Sequence, residues 1–404
     1  MKKKYLFIVM ILTTLLMSCN NEPDLPTTKK RTVLIYIAGQ NSLSDFVNGD
    51  INEMKQGLKS VDIRQYNLLI YIDNYDRTQL IHLTKSSNGT VIEKAIKNYD
   101  NQNSVGVNEM KSILSEAYTK FPAESYGIVF WSHGDAWLPA AAASRLSATT
   151  RWWGQDQITH FMDIQDLNEA LTAAPHFDFI LFDACFMQSI EVAYELRSHA
   201  DYFIGSPTEI PGPGAPYQNV VPALCSSKQG ADLAKGIAHQ YYAPYSEIYD
   251  GSVWTSDNDW TGGVAIGVIK SSALDNLAQE TKNIITTFVS DPQYINTEQI
   301  LFYGRGTKYY QYYDFDGVIK ELTVHNNSNY DTWKSAFLNA SIQFETTPKV
   351  YAAYEYTLPL KMFPMTGACG ISSYVPKGIN LQYDNFYKTL SWYNAVGWRE
   401  IFAQ

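Results

Sequence analysis

Uninterrupted apolar runs alternate with amphipathic segments along most of the chain. Four of these runs are rich in β-branched and aromatic residues and end at glycine or polar residues, which predicts buried strands at residues 31–39, 66–74, 125–135 and 177–183. A fifth strand is predicted at residues 201–209. The segments between the strands have the three- and four-residue spacing of helices. Strands that are apolar on both faces and alternate with helices indicate a largely parallel α/β sheet covered on both sides.

The same alternation predicts the domain organisation. It continues to about residue 289 and then gives way to tyrosine-rich segments without a clear period. We therefore predict an α/β core at residues 31–289 and a smaller C-terminal region at residues 290–404 that packs on it. Asn88-Gly89 lies between two alternating runs and predicts a β-hairpin.

The amino terminus has the features of an export signal. Several lysines precede an apolar run at residues 5–17 that is too short to span a bilayer comfortably. The run ends in Leu-Met-Ser-Cys, which resembles the site of the lipoprotein signal peptidase, so residues 1–18 are predicted to be a signal peptide and Cys19 to be lipidated. The polar residues 19–30 would form a flexible tether. An ordinary export signal cleaved near Ser18 is the alternative.

A lipidated Cys19 would place the protein in the cell envelope. Asn20 follows it in place of the aspartate that retains lipoproteins at the inner membrane, so the outer membrane is expected, with the protein facing either the periplasm or the outside. The formal charge of −10 argues against nucleic-acid binding and against electrostatic attachment to a membrane. The lipid anchor is therefore the predicted membrane contact.

Cysteine usage indicates a free thiol. After Cys19, the chain contains Cys185, Cys225 and Cys369, an odd number that leaves at least one thiol unpaired. Taken alone, Cys185 could be an inert core thiol, because buried cysteines behave as small apolar side chains. Its position at the end of a predicted strand is also where open α/β sheets place their chemistry.

His133 and Cys185 follow consecutive strands of the predicted core. Ser-His-Gly comes at the end of the third strand, and Asp-Ala-Cys comes at the end of the fourth. If these strands are neighbours in a parallel sheet, about 4.8 Å apart, the imidazole and the thiol lie at the same edge. A nearby imidazole can take the proton of a thiol and generate the nucleophilic thiolate. We therefore predict a catalytic pair, although either residue alone would more often be structural.

Two further features favour an acyl-transfer site at this edge. Gly134 has no side chain, so its backbone N–H can approach a substrate carbonyl and form an oxyanion hole with the N–H of Cys185. A helix is predicted to begin near Phe186, and its amino end would stabilise the thiolate.

These motifs carry a family resemblance. The segments IVFWSHGDAW and FILFDACFMQSIEVAYEL, in this order, resemble the clostripain-like cysteine peptidases, family C11, of the caspase–gingipain–legumain group. The resemblance covers residues 31–209, with looser agreement to about residue 290. It implies a caspase-like three-layer α/β/α sandwich and a His133–Cys185 dyad that needs no third member. It also implies an endopeptidase that cleaves peptide or protein substrates after arginine or lysine.

The resemblance implies roles for two acidic residues. Asp183 matches an acid two positions before the cysteine that is associated with the S1 pocket, which receives the basic side chain. A carboxylate there could bind a guanidinium through two hydrogen bonds. Asp183 could instead cap the following helix. Glu209 is the nearest match for a second pocket acid, although the proline-rich segment after it differs from the family pattern.

The long loop after His133 is the expected site of maturation. Several family members mature by self-cleavage in this loop, which here contains Arg145 and Arg151. Arg145 is favoured, because Arg151 opens a segment that resembles a retained part of the family sequence, but both could be ordinary surface residues. Some relatives need calcium, yet the oxygen-rich residues 255–260 lack the spacing of a known calcium loop. No cofactor or metal is therefore predicted, and calcium is the one candidate.

The sequence thus predicts an exported, lipid-anchored cysteine endopeptidase that acts after arginine or lysine. The alternative from another class is a surface lipoprotein that keeps the fold without catalysis and binds glycan or protein through its aromatic surface. A caspase-like preference for aspartate is disfavoured, because Asp183 would repel that side chain.

Overall fold

The computed structural model describes residues 28–139, 153–157, 159–252, 260–304, 312–324, 327–352 and 361–402. The strands are β1 (Lys29–Ala38), β2 (Tyr66–Asp73), β3 (Thr78–Lys85), β4 (Val91–Asn98), β5 (Ala123–Trp131), β6 (Trp153–Asp156), β7 (His160–Met162), β8 (Phe177–Asp183), β9 (Ala200–Gly205), β10 (Ala265–Lys270), β11 (Tyr313–Asp314), β12 (Ser341–Thr346), β13 (Lys349–Ala352), β14 (Lys361–Pro364) and β15 (Ser372–Ser373). The helices are α1 (Ser44–Leu58), α2 (Val107–Lys120), α3 (Ile164–Leu171), α4 (Ile190–Leu196), α5 (Tyr217–Leu224), α6 (Gly230–Ile248), α7 (Leu274–Phe288), α8 (Phe315–Leu322), α9 (Asn327–Ala340), α10 (Leu381–Tyr387), α11 (Ser391–Ala395) and α12 (Trp398–Phe402).

Within the described residues, nine strands form one sheet in the order β12-β10-β9-β8-β5-β1-β2-β3-β4. The strands from β9 to β2 run parallel to one another, whereas the β3–β4 hairpin and strand β10 pair antiparallel at the two flanks. This order confirms the predicted α/β class with a largely parallel central sheet. The predicted hairpin is also present, and Gly89 in its turn has a positive φ of 83°, which glycine adopts without strain.

Helices cover both faces of the sheet because its central strands are apolar on both sides. In β1, Leu34 and Tyr36 point into one apolar cluster, and Val33, Ile35 and Ile37 point into the other. Helices α2 and α3 complete the first cluster, and α1, α5 and α6 complete the second. This arrangement confirms the predicted three-layer sandwich.

The region after residue 290 adds a strand to the sheet as well as helices. Helix α9 leads into β12, which pairs antiparallel with β10 and places Phe344 opposite Gly267. The C-terminal region therefore shares the central sheet with the core, and a boundary at residue 289 separates β12 from its partner strand. The domain boundary itself stays a prediction.

Strand limits differ by a few residues from the predicted ones. Strand β1 begins at Lys29, inside the predicted tether, and β9 ends at Gly205 rather than at residue 209. Residues 1–27, with the predicted signal peptide and Cys19, lie outside the described part of the chain. In the part that is described, no helix has both the length and the apolar character needed to cross a membrane.

Candidate active site

His133 and Cys185 lie two residues beyond the ends of neighbouring parallel strands. Strand β5 ends at Trp131 and β8 ends at Asp183, and these two terminal residues are paired directly across the strands. Because the register is even, the chain leaves both strands at the same height, and the two side chains start from the same edge of the sheet. The strand ends thus bring together the two residues that the sequence singles out.

The two strand-end segments are in direct contact at Gly134. A Cβ atom at this position would lie 2.7 Å from the Cys185 carbonyl oxygen and 2.9 Å from the Ala184 Cβ. No side chain fits there without displacing the segment that carries the thiol. The His133 carbonyl accepts a hydrogen bond of 3.0 Å from the Gly154 N–H, which ties this segment to strand β6. Glycine at position 134 therefore has a packing reason that is independent of catalysis.

The imidazole and the thiol are held by different hydrogen-bond partners. Nε2 of His133 lies 2.9 Å from the Ser42 Oγ, and the Cys185 Sγ accepts a hydrogen bond of 3.4 Å from the Ile210 N–H. Both side chains are partly exposed. Both groups therefore lie at one edge of the sheet, and each is hydrogen-bonded to a third residue.

Carboxylates near Cys185 oppose ionisation of its thiol. Burial, followed by the charges of Glu209, Asp135 and Asp183, raises the pKa of Cys185 well above its usual range. Burial also lowers the pKa of His133 to about 4. Burial and the nearby carboxylates therefore favour the uncharged thiol of Cys185, and burial favours the uncharged imidazole of His133.

The prediction of a helix that begins near Phe186 is wrong. Phe186 has a positive φ of 62°, and helix α4 starts at Ile190 and spans seven residues. A helix end acts mainly within its first turn, so α4 does not stabilise a thiolate at Cys185. The chain departs from helix here because residues after Cys185 bond to the loop after β9, as in the hydrogen bond of 2.9 Å from the Phe186 N–H to the Thr208 carbonyl.

Asp183 is buried beneath the sheet edge and accepts three hydrogen bonds. Its Oδ2 receives the Ala215 N–H at 3.0 Å and the Tyr217 hydroxyl at 2.8 Å, and its Oδ1 receives the Tyr241 hydroxyl at 2.9 Å. Asp183 is 2% exposed, and burial raises its pKa. The alternative of a helix cap is wrong, because none of these donors comes from helix α4. A two-bond contact with a guanidinium would require the present donors to leave.

Glu209 lies in the loop after β9 that covers the thiol. This loop is held to the cysteine segment by further backbone hydrogen bonds, such as the one of 2.9 Å from the Gln188 N–H to the Ser206 carbonyl. After burial, the charge of Glu209 is the largest cause of the raised pKa of Cys185. The other two acids that raise this pKa are buried, whereas Glu209 is partly exposed and can be reached from solvent.

Two acids of helix α1, Asp50 and Glu53, lie near Asp183 and are not among the site residues predicted from the sequence. Asp50 is 4% exposed, and burial together with the charges of Asp183 and Glu53 raises its pKa to about 9. Glu53 accepts the Tyr217 N–H at 2.9 Å. The sequence could have indicated Asp50, because helical spacing puts it on the face of α1 that carries the apolar core residues.

Several predicted features lie outside the described residues. Arg145 and Arg151 fall in residues 140–152, Cys19 falls in residues 1–27, and most of the oxygen-rich segment falls in residues 253–259. Among the residues that are described, no group of three or more His, Cys, Asp or Glu side chains is arranged to hold a metal ion.

Comparison with known proteins identifies the family. The sequence model of the clostripain family, peptidase C11, matches residues 35–404, which is most of the chain. The chain belongs to the clostripain family. This confirms the predicted clostripain-like cysteine endopeptidase.

Solved structures and a curated relative give the extent of the likeness to the clostripain family. A secreted C11 cysteine protease from Bacteroides thetaiotaomicron, in complex with an irreversible peptide inhibitor, is 44% identical, and the match covers 92% of this chain and 99% of that chain with a TM-score of 0.83. An inactive zymogen C11 protease from Parabacteroides distasonis is 34% identical over 92% of this chain and 99% of that chain, with a TM-score of 0.79. Clostripain from Hathewaya histolytica is 24% identical over 250 residues, which span 54% of this chain and 47% of that protein. The chain thus matches about half the length of this curated relative, and the residue roles stay predictions.

Proposed function

We propose that the protein is an exported, lipid-anchored endopeptidase that cleaves after arginine or lysine, with Cys185 as the nucleophile and His133 as the general base. The observation that carries this proposal is the even register of β5 and β8, which delivers an imidazole and a thiol to one edge of the sheet. Membership of the clostripain family supports the same chemistry.

In the proposed reaction, His133 takes the thiol proton while the sulfur of Cys185 attacks the carbonyl carbon of the substrate. The backbone N–H groups of Gly134 and Cys185 donate hydrogen bonds to the resulting oxyanion. The peptide C–N bond then breaks, and His133 returns the proton to the leaving amine. In the second half, His133 takes a proton from water, the hydroxide adds to the thioester, and the sulfur leaves and regains the proton.

The acids around the thiol support a preference for a cationic side chain before the cleaved bond. Glu209 and Asp183 both raise the pKa of Cys185, so the local potential is negative. The three hydrogen bonds that Asp183 accepts oppose the effect of burial on its pKa and favour the charged form. Its proposed part is therefore indirect: its charge attracts the cation, and its hydrogen bonds shape the pocket wall. The partly exposed Glu209 is the proposed direct partner. Arginine is favoured over lysine because a guanidinium pairs with a carboxylate through two hydrogen bonds.

A bound cation would also help to ionise the nucleophile. The charges that raise the pKa of Cys185 include that of Glu209, and a guanidinium paired with Glu209 would neutralise this charge. A substrate with a basic side chain would therefore lower the pKa of the thiol that attacks it, whereas a neutral side chain would not.

The loop at residues 140–152 is the proposed site of self-cleavage, after Arg145 or Arg151. This loop joins the segment after His133 to strand β6. The Gly154 N–H of β6 donates a hydrogen bond to the His133 carbonyl, so both flanks of the loop lie at the active-site edge. A relative that is 34% identical is an inactive zymogen. The raised pKa of Cys185 and the hydrogen bond from the Ile210 N–H to its sulfur are consistent with a precursor.

The amino-terminal sequence supports export and anchoring through Cys19. Residues 1–18 have the form of a signal peptide, and a relative that is 44% identical is described as secreted. The proposed location is the outer membrane, on either face, and Cys19→Ala is expected to release the protein from the membrane fraction. No cofactor is proposed, so we expect activity to persist when calcium is removed with a chelator, and a loss that calcium restores would contradict this.

The central test compares the wild type with Cys185→Ala. The wild type is expected to release dye from arginyl and lysyl peptides but not from aspartyl peptides, and the variant is expected to be inactive. Cys225→Ala is the matched control, because Cys225 packs in the apolar cluster on the other face of the sheet and its loss should leave activity in place. Equal activity of the wild type and Cys185→Ala would contradict the assignment of the nucleophile.

Intact-mass measurement of the same samples tests maturation. The wild type should yield two fragments separated after Arg145 or Arg151, whereas Cys185→Ala should stay in one piece. Single replacement of each arginine by alanine identifies the bond that is cut. A wild-type chain that is fully active and intact would contradict maturation by self-cleavage.

A further inference from the structure

The turn after strand β1 places Ser42 against the imidazole of His133. The Ser42 Oγ lies 2.9 Å from Nε2, although the two residues are 91 positions apart in sequence. Strand β1 is the direct neighbour of β5, and Ile37 pairs with Trp131 near the ends of the two strands. The turn after β1 and the segment after β5 therefore emerge side by side.

A buried side chain fixes this turn. Asn41 is 4% exposed and donates from Nδ2 to the Ala38 carbonyl at 2.9 Å and to the Gln155 carbonyl at 2.8 Å. Its Oδ1 accepts the Leu43 N–H at 2.9 Å. Because Ser42 lies between Asn41 and Leu43, both of its neighbours in the chain are held in place.

Ser132 makes the matching link from the histidine segment. Its Oγ donates to the Ala38 carbonyl at 2.7 Å and accepts the Gln155 N–H at 3.1 Å. Ser132 and Asn41 thus share the same two partner residues, so the residues that precede His133 and Ser42 are fixed in one network. Buried, mutually satisfied hydrogen bonds of this kind hold their members in one geometry. The position of the Ser42 hydroxyl relative to the imidazole is therefore set by the fold, even though Ser42 is exposed.

We propose that Ser42 is a positioning residue that orients His133 for proton transfer with Cys185. The Ser42 Oγ accepts the Nε2–H of the imidazole, which leaves Nδ1 as the nitrogen that takes the thiol proton. This inference rests on the proposed catalytic role of His133 and adds a side chain from a third strand end to the predicted dyad.

The same contact favours the protonated imidazole that the reaction creates. A hydroxyl oxygen forms a stronger hydrogen bond with an imidazolium N–H than with a neutral one. Burial lowers the pKa of His133 to about 4, so the imidazolium is disfavoured at this site, and an acceptor at Nε2 offsets part of that effect. Loss of the acceptor is therefore expected to lower the pKa of His133 further and to slow the steps in which the imidazole is protonated.

The test measures kcat, KM and their pH dependence for Ser42→Ala, with active sites titrated by an irreversible arginyl peptide inhibitor. We expect kcat to fall about 10- to 100-fold while KM changes less than about twofold, because orientation and not binding is lost. The acidic limb of the kcat/KM profile should move to lower pH by about 0.5 to 1 unit. Ser42→Thr keeps a hydroxyl and should recover most of kcat.

The matched control is Ser125→Ala, which removes a serine hydroxyl that bonds to the Lys30 carbonyl at the opposite edge of the sheet. It should behave like the wild type. A Ser42→Ala enzyme with wild-type kcat overturns the proposal, and so does a fall in kcat with an unmoved acidic limb, since that result means a structural role. Both outcomes leave the proposed function standing as long as Cys185→Ala is inactive, whereas an active Cys185→Ala enzyme refutes the proposed function first.

Discussion

Replacement of Asp183 separates the hydrogen bonds of this carboxylate from its charge. Asp183→Ala leaves three buried donors without an acceptor: the Ala215 N–H and the hydroxyls of Tyr217 and Tyr241. Each unsatisfied buried donor destabilises a fold by about 1 to 3 kcal/mol. Removal of a buried charge and rotation of the two hydroxyls recover part of this, so we expect the free energy of unfolding to fall by about 2 to 5 kcal/mol.

Asp183→Asn keeps the shape of the side chain and removes only its negative charge. Its amide oxygen can accept from Ala215 and Tyr217 in the place of Oδ2, and its amide nitrogen can donate to the Tyr241 hydroxyl after that hydroxyl rotates. We therefore expect its free energy of unfolding to stay within about 1 kcal/mol of the parent value. Urea titrations at pH 7, followed by circular dichroism in the Cys185→Ala background to prevent self-cleavage, give both differences.

The activity of Asp183→Asn, with Cys185 intact, then tests the effect of the charge alone. The kcat/KM for an arginyl peptide should fall about tenfold, whereas the value for the matched citrullinyl peptide, which has no charge on its side chain, should hardly change. The reasoning is refuted if Asp183→Ala unfolds at the parent urea concentration, if Asp183→Asn is as unstable as Asp183→Ala, or if both peptides lose activity equally.

Three further changes test the charges and contacts of the site. Glu209→Gln should lower the pKa of Cys185, because a neighbouring negative charge is lost, and iodoacetamide should label this thiol several-fold faster at pH 8 by peptide mass spectrometry; an unchanged rate contradicts this. Gly134→Ala should lower kcat/KM at least about 100-fold, because the added Cβ would lie 2.7 Å from the Cys185 carbonyl oxygen. The control Gly49→Ala should keep activity, because nothing beyond the surrounding helix backbone lies within 4 Å of the added Cβ. Burial raises the pKa of Glu191 to about 7, so the protonated form is favoured in the fold and its stabilising effect is lost as pH rises through that value. Glu191→Gln should therefore remove up to about 3 kcal/mol of the pH dependence of unfolding between pH 4.5 and 8, and equal slopes for variant and wild type would exclude this.

The central sheet could be predicted because its strands are buried on both faces. Every residue of β2 is buried and so is nearly all of β1, and such strands are apolar along most of their length. Strand β12 could not be predicted in the same way, since all six of its residues are half-buried and no two-residue alternation marks it. Its place beside β10 is decided by tertiary packing.

The site could be located from the sequence, but its details could not. His133 and Cys185 each follow an apolar strand in the sequence. Because these two strands are parallel neighbours, both residues lie at the same edge of the sheet. The sequence predicts a helix that starts too early because the apolar Phe186 and Met187 run directly into the helical segment, whereas the structure buries both side chains in a loop. Ser42 gives no local signal, since a serine after a strand is common and its contact with His133 exists only in the folded chain.

The late position of β12 in the chain affects how the protein is made. Until residues 341–346 have been synthesised, strand β10 has a partner on one side only, and the N–H and C=O groups of its other side stay open. An open strand edge is a template for pairing with strands of other polypeptides. A partly folded chain in which β12 is not yet in place would therefore expose an edge at which copies of the protein can cross-pair and aggregate.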